Sequence, residues 1–307
     1  MRNIFNLRRL KKRYKFLAFG LVIIIVFQFT SGCFTFKMSQ KEADKYFKDK
    51  SLKPKLKTYQ VEDRTVSYAD IGSDSLPTVF FFHGAPGSWS AFVDFMADTS
   101  LTNKTRVISV DRPGYGYSNF GNSVTSLERE SLLLRPLLEL KNEDQPTILV
   151  GHSLGGPVIA RLAMDHPDLV DYIIMVAPSI DPDLEPDEDW FRYPLKTPFL
   201  SWILPTSFRV TNDEIYVLEE ELREMMPLWE GITIPCTVIQ GGKDSLVDPG
   251  NADFAKRMLV NSSDVNLIVI EDMNHFVPWS NPELIKEAIF NYLNDGNTVK
   301  TSSSHGN

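Results

Sequence analysis

Cysteine is almost missing from this chain. Of 307 residues only Cys33 and Cys236 carry a thiol, too few for a disulfide framework or a cysteine metal site. Cys236 opens the apolar run Cys236-Thr237-Val238-Ile239 and is expected to be a buried small hydrophobe. Histidine is scarce as well, at five residues, so chemistry that needs an imidazole has five candidates. No apolar run reaches the ~20 residues that a membrane-spanning helix needs. The longest, Phe16 to Phe27, has twelve. Basic residues thin out after the first 32 positions. Seven of the 32 Lys and Arg lie there, with no acid, which leaves 25 basic against 40 acidic residues and a formal charge of −15 on the remainder. That balance argues against nucleic acid as a partner.

What is present begins with a basic stretch to Lys15, the apolar run to Phe27, and then Thr30-Ser31-Gly32-Cys33. A charged flank, a short apolar core and small residues read as an export signal. The last four residues resemble a bacterial lipoprotein cleavage site, with Thr30 where that family usually has Leu. Residues 1–32 are therefore read as a signal peptide or membrane anchor, and Cys33 as the lipidation site. An uncleaved anchor of the same orientation is the alternative. In both forms the basic flank stays in the cytoplasm and the rest is exported, held at a membrane.

Residues 33–57 are polar and rich in lysine, a tether or short helix. Beyond them, short apolar runs alternate with helical patterns. Tyr59 to Tyr68 suggests a hairpin. Runs at 78–82, 107–110, 147–150, 172–176, 237–239 and 267–270 read as strands buried on both faces. Thr125-Ser126-Leu127-Glu128 is a capping box ahead of a leucine-rich helix, and 252–259 and 283–293 are further helices. This alternation predicts an α/β fold, a largely parallel sheet with helices on both faces. The core is expected over 58–180 and 235–295. The interval 181–234 is too long for a βα connection, is rich in Trp, Phe and Tyr, and reads as a helical lid. The polar tail from 296 to 307 is expected to be disordered.

Gly151-His152-Ser153-Leu154-Gly155 sits between the strand ending at Val150 and the helix-like stretch from Pro157. A serine at a sharp strand-to-helix turn lifts its hydroxyl above the sheet edge, and the helix behind it aims free N–H groups at developing charge. Such a serine needs a base. Of the histidines, His305 is in the tail and His166 follows a helix. His152 precedes Ser153 and should point away from it, and His83 ends a strand in a Gly-Pro loop. His275, after the last strand, is left as the base. The acid that orients it is Asp244, after Gly241-Gly242-Lys243. Asp248, ahead of Pro249, and the pair Asp181 and Asp183 stay open as alternatives. Oxyanion donors are expected at the N–H groups of Leu154 and of Ala85, because Pro86 in His83-Gly84-Ala85-Pro86-Gly87 has none. A tight turn there would favour a cis Ala85-Pro86 bond.

These motifs, with Asp111-Arg112-Pro113-Gly114-Tyr115-Gly116-Tyr117-Ser118 and Asn274-His275-Phe276, together resemble the α/β-hydrolase superfamily of the lidded serine type, from about Tyr59 to Leu293. The resemblance implies nucleophile Ser153, acid Asp244, base His275 and oxyanion donors Ala85 and Leu154. It also implies that the loop from Asp111 to Ser118 buttresses the site. Ser153 stands where haloalkane dehalogenases and epoxide hydrolases carry aspartate, which sets those chemistries aside. Hydrolysis of a small-molecule or lipid-like ester is the activity implied, with no cofactor and no metal. Aminopeptidase, C–C bond hydrolase and cofactor-free haloperoxidase relatives use the same triad. A carboxylate among Glu219, Glu220, Glu221 and Glu224 that met a substrate amine would favour the first. A silent binding protein on the same fold is the reading from another class.

Overall fold

The computed structural model describes residues 34–303, with backbone alone at 198–199 and 295–303. The N-terminal segment to Cys33, on which the expected signal or anchor falls, lies outside the described residues, as do 304–307.

Eight strands form one sheet: β1 Lys55–Val61, β2 Arg64–Ile71, β3 Thr78–Phe82, β4 Arg106–Asp111, β5 Thr147–His152, β6 Tyr172–Val176, β7 Cys236–Gly241 and β8 Val265–Ile270. Their order is β1-β2-β4-β3-β5-β6-β7-β8. The hairpin β1–β2 joins β4 antiparallel, and every other pairing is parallel. The predicted strands are all present. β1 starts inside the stretch expected to be a tether, because Lys55 to Lys57 pair with Asp70 to Tyr68.

Side chains alternate across the sheet and seed two cores. Phe80 and Phe82 pack on one face with Leu134, Leu149, Ile159 and Phe254. Val79 and Phe81 pack on the other with Phe92, Phe95, Ile174 and Ile285. Strands β3 to β7 are buried throughout, as the unbroken apolar runs require. The edge strand β8 is the exception: it is only partly buried, and Val269 is exposed.

Helices Leu127–Leu138 and Gly155–Asp165 cover the first face, and Pro282–Ser303 packs on the second. The first of these is capped by Ser126, whose side chain accepts from Arg129 N, rather than by a box starting at Thr125. The last helix runs past Leu293 to Ser303 and takes in residues expected to be a disordered tail. Asn297 and its polar neighbours lack an apolar stripe, but they follow directly on a helix already formed by the buried Ile285 and Ile289, and extension costs far less than nucleation.

Between β6 and β7 the chain makes a helical insertion: Asp189–Lys196, Pro198–Ser201 and Thr206–Met225, flanked by short 3₁₀ turns. Among the described residues no helix is long and apolar enough to cross a membrane. Residues 34–54 are no free tether. Helix Gln40–Tyr46 is closed by a Ser39–Glu42 capping box, and Ala43 and Phe47 are fully buried in the second core.

Candidate active site

The parallel strands end at one edge, and the loops there carry the polar residues. Ser153 follows β5 with φ of 54°, a left-handed backbone that costs a non-glycine residue roughly 1–2 kcal/mol. The surroundings hold it there. Ser153 N–H donates to Val176 O at 2.9 Å. The turn is so tight that a Cβ on Gly151 would lie 2.2 Å from Gly155 O, and one on Gly155 would lie 2.3 Å from Phe82 O. Both glycines are needed for the turn to close, which is the physical content of the Gly-x-Ser-x-Gly spacing.

Asp244 and His275 come from the loops after β7 and β8. His275 Nδ1 donates to Asp244 Oδ2 at 2.7 Å. The other carboxylate oxygen accepts from Leu246 N and Val247 N, each at 2.9 Å. Burial alone would push the Asp244 carboxyl up. The hydrogen bonds from His275, Val247 and Leu246 outweigh it and hold it below the usual range. A carboxylate fixed on both oxygens leaves the imidazole one orientation, with Nε2 turned away from Asp244.

The rival acids are engaged elsewhere. Asp248 is exposed and its Oδ1 accepts from Gly250 N at 2.8 Å, closing the turn ahead of helix Asn251–Met258. Asp181 accepts from Asp183 N and pairs with Arg257 at 3.3 Å, and Asp183 pairs with Arg223 at 2.9 Å.

Ser153 and His275 line one cavity of about 730 Å³, together with Ala85, a volume in the usual range for small-molecule sites. Much of the remaining wall is apolar: Phe36, Met38, Phe208, Leu246 and Phe276. Leu154 is buried at the start of the helix behind Ser153. The Ala85–Pro86 bond is cis.

His152 does not point away, as expected from its place before Ser153. Its Nε2 bonds to the carbonyl of His275 at 3.0 Å, and its ring lies 4.8 Å from that of His275. Burial, with the nearby His275, pushes it down to about 3, so it is a neutral donor that pins the His275 backbone. His83 is neutral as well. Burial and the charge of Arg112 push it down to about 3. Its Nδ1 lies 2.6 Å from Gly84 O, and its Nε2 accepts from Arg112 N at 3.1 Å. This fixes the tautomer with the proton on Nδ1 and ties the Ala85 loop to the loop after β4.

Asp111 makes the second tie. Its carboxylate accepts from Trp89 N and Tyr117 N, both at 2.8 Å, and burial raises it to about 6. One residue further, Arg112 pairs with Glu130 at 2.8 Å and with Glu214 of the insertion at 3.0 Å, while Tyr115 OH donates to Glu214 at 2.9 Å. All four are buried. The resemblance marks the loop that carries Arg112 and Tyr115 as a buttress, but nothing in the sequence links that loop to Glu130 or Glu214. Among the described residues no group of three or more His, Cys, Asp and Glu could hold a metal ion, and Cys236 is buried, as its apolar run required.

A family model described as the alpha/beta hydrolase family matches residues 79–288. Among known proteins, epoxide hydrolase 1 of Caenorhabditis elegans is 28% identical over 169 residues, 54% of this chain and 40% of that protein. The sn-1-specific diacylglycerol lipase ABHD11 of Mus musculus is 32% identical over 107 residues, 34% of each. The chain thus spans well under half the length of these relatives. Among solved structures, a candidate lipase of Acinetobacter baumannii AYE superposes with a TM-score of 0.63 at 22% identity, over 85% of this chain and 98% of that one.

Proposed function

This chain belongs to the alpha/beta hydrolase family and is a hydrolase of that fold, and on that premise we propose that it cleaves carboxylic esters through an acyl-enzyme. The observation that carries the reading is the 2.7 Å contact of His275 Nδ1 with Asp244, with His275 and Ser153 on one cavity wall. Ser153 Oγ attacks the ester carbonyl while His275 Nε2 takes its proton, and Asp244 stabilises the imidazolium. The N–H groups of Ala85 and Leu154 receive the tetrahedral oxyanion. Collapse expels the alcohol, which takes the proton from His275. Water, deprotonated by His275, then attacks the acyl group and releases the acid, and the proton returns to Ser153.

The apolar wall favours an ester with an apolar acyl or alcohol part. A substrate amine would need a carboxylate in the cavity, and none of Glu219, Glu220, Glu221 and Glu224 lines it; Glu42, which does, is held by Ser39 in the capping box of helix Gln40–Tyr46. The insertion acts as the lid, since its Phe208 lines the cavity. The segment before Phe34 anchors the enzyme to a membrane, through an acylated Cys33 or an uncleaved apolar run, on the exported side.

Labelling with a fluorophosphonate tests the reading and separates it from a silent binding protein. Ser153→Ala is expected to keep its fold, lose the label, and lose about 10⁶-fold in kcat on p-nitrophenyl esters. Full labelling of the Ser153→Ala protein would overturn the assignment.

A further inference from the structure

The residues next to the anchor are part of the active-site wall. Phe36, Lys37 and Met38 line the cavity that holds Ser153. This strap is fastened at both ends. Ser207 of the insertion donates to Phe34 O, Ser88 donates to Phe36 O, and Trp89 Nε1 donates to Met38 O at 3.1 Å. Phe34 and Phe36 also pack on Phe208, with ring centroids 5.9 and 6.3 Å away.

The cavity opens through an apolar rim. Leu246, Phe276 and Trp279 line it and are 62%, 53% and 48% exposed. The partly exposed Phe36 and Phe208 line the same cavity, and Phe34 joins them through its contact with Phe208. Exposed patches of this kind mark an interaction surface.

Chain geometry says what meets it. Phe34 is seven residues beyond Phe27, where the apolar run ends. A chain extends by at most ~3.6 Å per residue, so the rim lies within about 25 Å of whatever holds that run. If Cys33 carries the acyl chains, the separation is a single residue. Both modes of anchoring therefore keep this face within reach of the bilayer.

We infer that the rim of Leu246, Phe276, Trp279, Phe34, Phe36 and Phe208 sits in the headgroup–acyl boundary of the membrane, and that the ester enters the cavity from the bilayer as an acyl lipid. This rests on the ester hydrolase reading for its chemistry and on the anchor for its orientation. Aromatic and aliphatic side chains at that depth add apolar contact to the anchor and hold the mouth of the cavity against the lipid surface. Lipid then reaches Ser153 without crossing water.

The test uses the full chain reconstituted in phosphatidylcholine vesicles that contain doxyl-labelled phosphatidylcholine. An environment-sensitive fluorophore is placed at Leu246→Cys on the rim, and in a second protein at Asp144→Cys, with the unsubstituted chain as labelling control. Asp144 precedes β5 at the opposite end of the sheet, about 20 Å away by strand rise. Strong quenching is expected at 246 and none at 144. Equal quenching at both, or none at either, would overturn the orientation. In parallel, Phe34→Glu places a charge on the rim outside the cavity wall. It is expected to lower hydrolysis of a vesicle-embedded acyl-labelled phospholipid by about tenfold or more, while p-nitrophenyl butyrate turnover stays within about twofold. An equal loss on both substrates, or no loss on the phospholipid, would overturn delivery from the bilayer. Failure of the serine mechanism would appear separately, as fluorophosphonate labelling that survives Ser153→Ala, and would leave the quenching pattern untouched.

Discussion

Asp244 with His275, and Arg112 with Glu130 and Glu214, are two buried charge clusters on the same sheet edge, and they differ in what they leave open. Both Asp244 oxygens are satisfied, by Leu246 N, Val247 N and His275 Nδ1, yet the imidazole still lines the cavity. In the second cluster one guanidinium faces two carboxylates, each fully enclosed. Arg112 Nη1 has no hydrogen-bond partner among the described residues. Burial raises Glu214, reinforced by the nearby charge of Glu130 against the opposing pull of Arg112. The first cluster leaves an imidazole open to the cavity. The second joins the loop after β4 to the inserted helix Thr206–Met225 and does not line that cavity. Burial of charge therefore does not identify the site; access to the cavity does.

Removing a carboxylate from the first cluster gives the largest effect. Asp244→Asn is expected to lower kcat about 10⁴-fold, because the amide cannot stabilise the imidazolium and favours the wrong tautomer. Asp248→Asn, four residues on, should leave kcat within about twofold, since an exposed turn carboxylate lies outside the reacting network and an amide oxygen can still accept from Gly250 N. Steady-state kinetics on a p-nitrophenyl ester separates the two. If Asp248→Asn were the crippling change, the comparison would have the wrong acid.

Breaking the second cluster should cost stability rather than chemistry. Arg112→Met leaves Glu130 and Glu214 facing each other without a cation, and loss of one partner from a buried ion pair costs about 3–5 kcal/mol. Urea denaturation of the fluorophosphonate-reactive protein checks this. An unchanged midpoint would mean that the insertion is held by its apolar contacts alone, Leu218, Leu222 and Met225 in the first core.

The difference between the clusters also explains what the sequence disclosed. Ser153, Asp244 and His275 each follow a strand of a parallel sheet, so alternation of apolar runs was enough to place them at one edge. Asp244 could be ranked above Asp248 because the latter stands ahead of Pro249, a place that suits a cap or turn residue. Arg112, Glu130 and Glu214 are 18 and 102 residues apart. No local period links them, and Glu214 in its polar helix looks like any solvated glutamate. His152 departs from its expected direction because the helix Val277–Ser280 packs Trp279 edge-on against it at 5.3 Å, a contact that no local pattern announces. The stretch expected to be a tether or short helix does hold a short helix, but its part in the cavity wall has no signal, because a polar, lysine-rich stretch gives no hint that Phe36 meets a ring 172 residues away.

The last effect is a matter of pH. The folded-state pKa of Glu214 is raised to about 8, by burial first and then by Glu130, against the ordinary carboxylate range in the unfolded chain. The folded protein therefore holds a proton that the unfolded chain releases. For an acid raised in this way, the stabilising linkage is complete below the unfolded pKa and is lost as pH rises toward the folded one. Between about pH 5 and about pH 8 the wild-type protein should lose stability from this group as pH increases. Glu214→Gln keeps an acceptor for Arg112 and Tyr115 but has no proton to release, so its midpoint in urea should be flatter across that window. The two proteins should differ by about 1 kcal/mol or less near pH 5, where Glu214 is neutral too. Because Glu214 makes no contact with Ser153 or His275, the shape of the kcat profile should be the same in both. Parallel stability curves would mean that Glu214 is ionised throughout, and that Arg112 balances two charges instead of one.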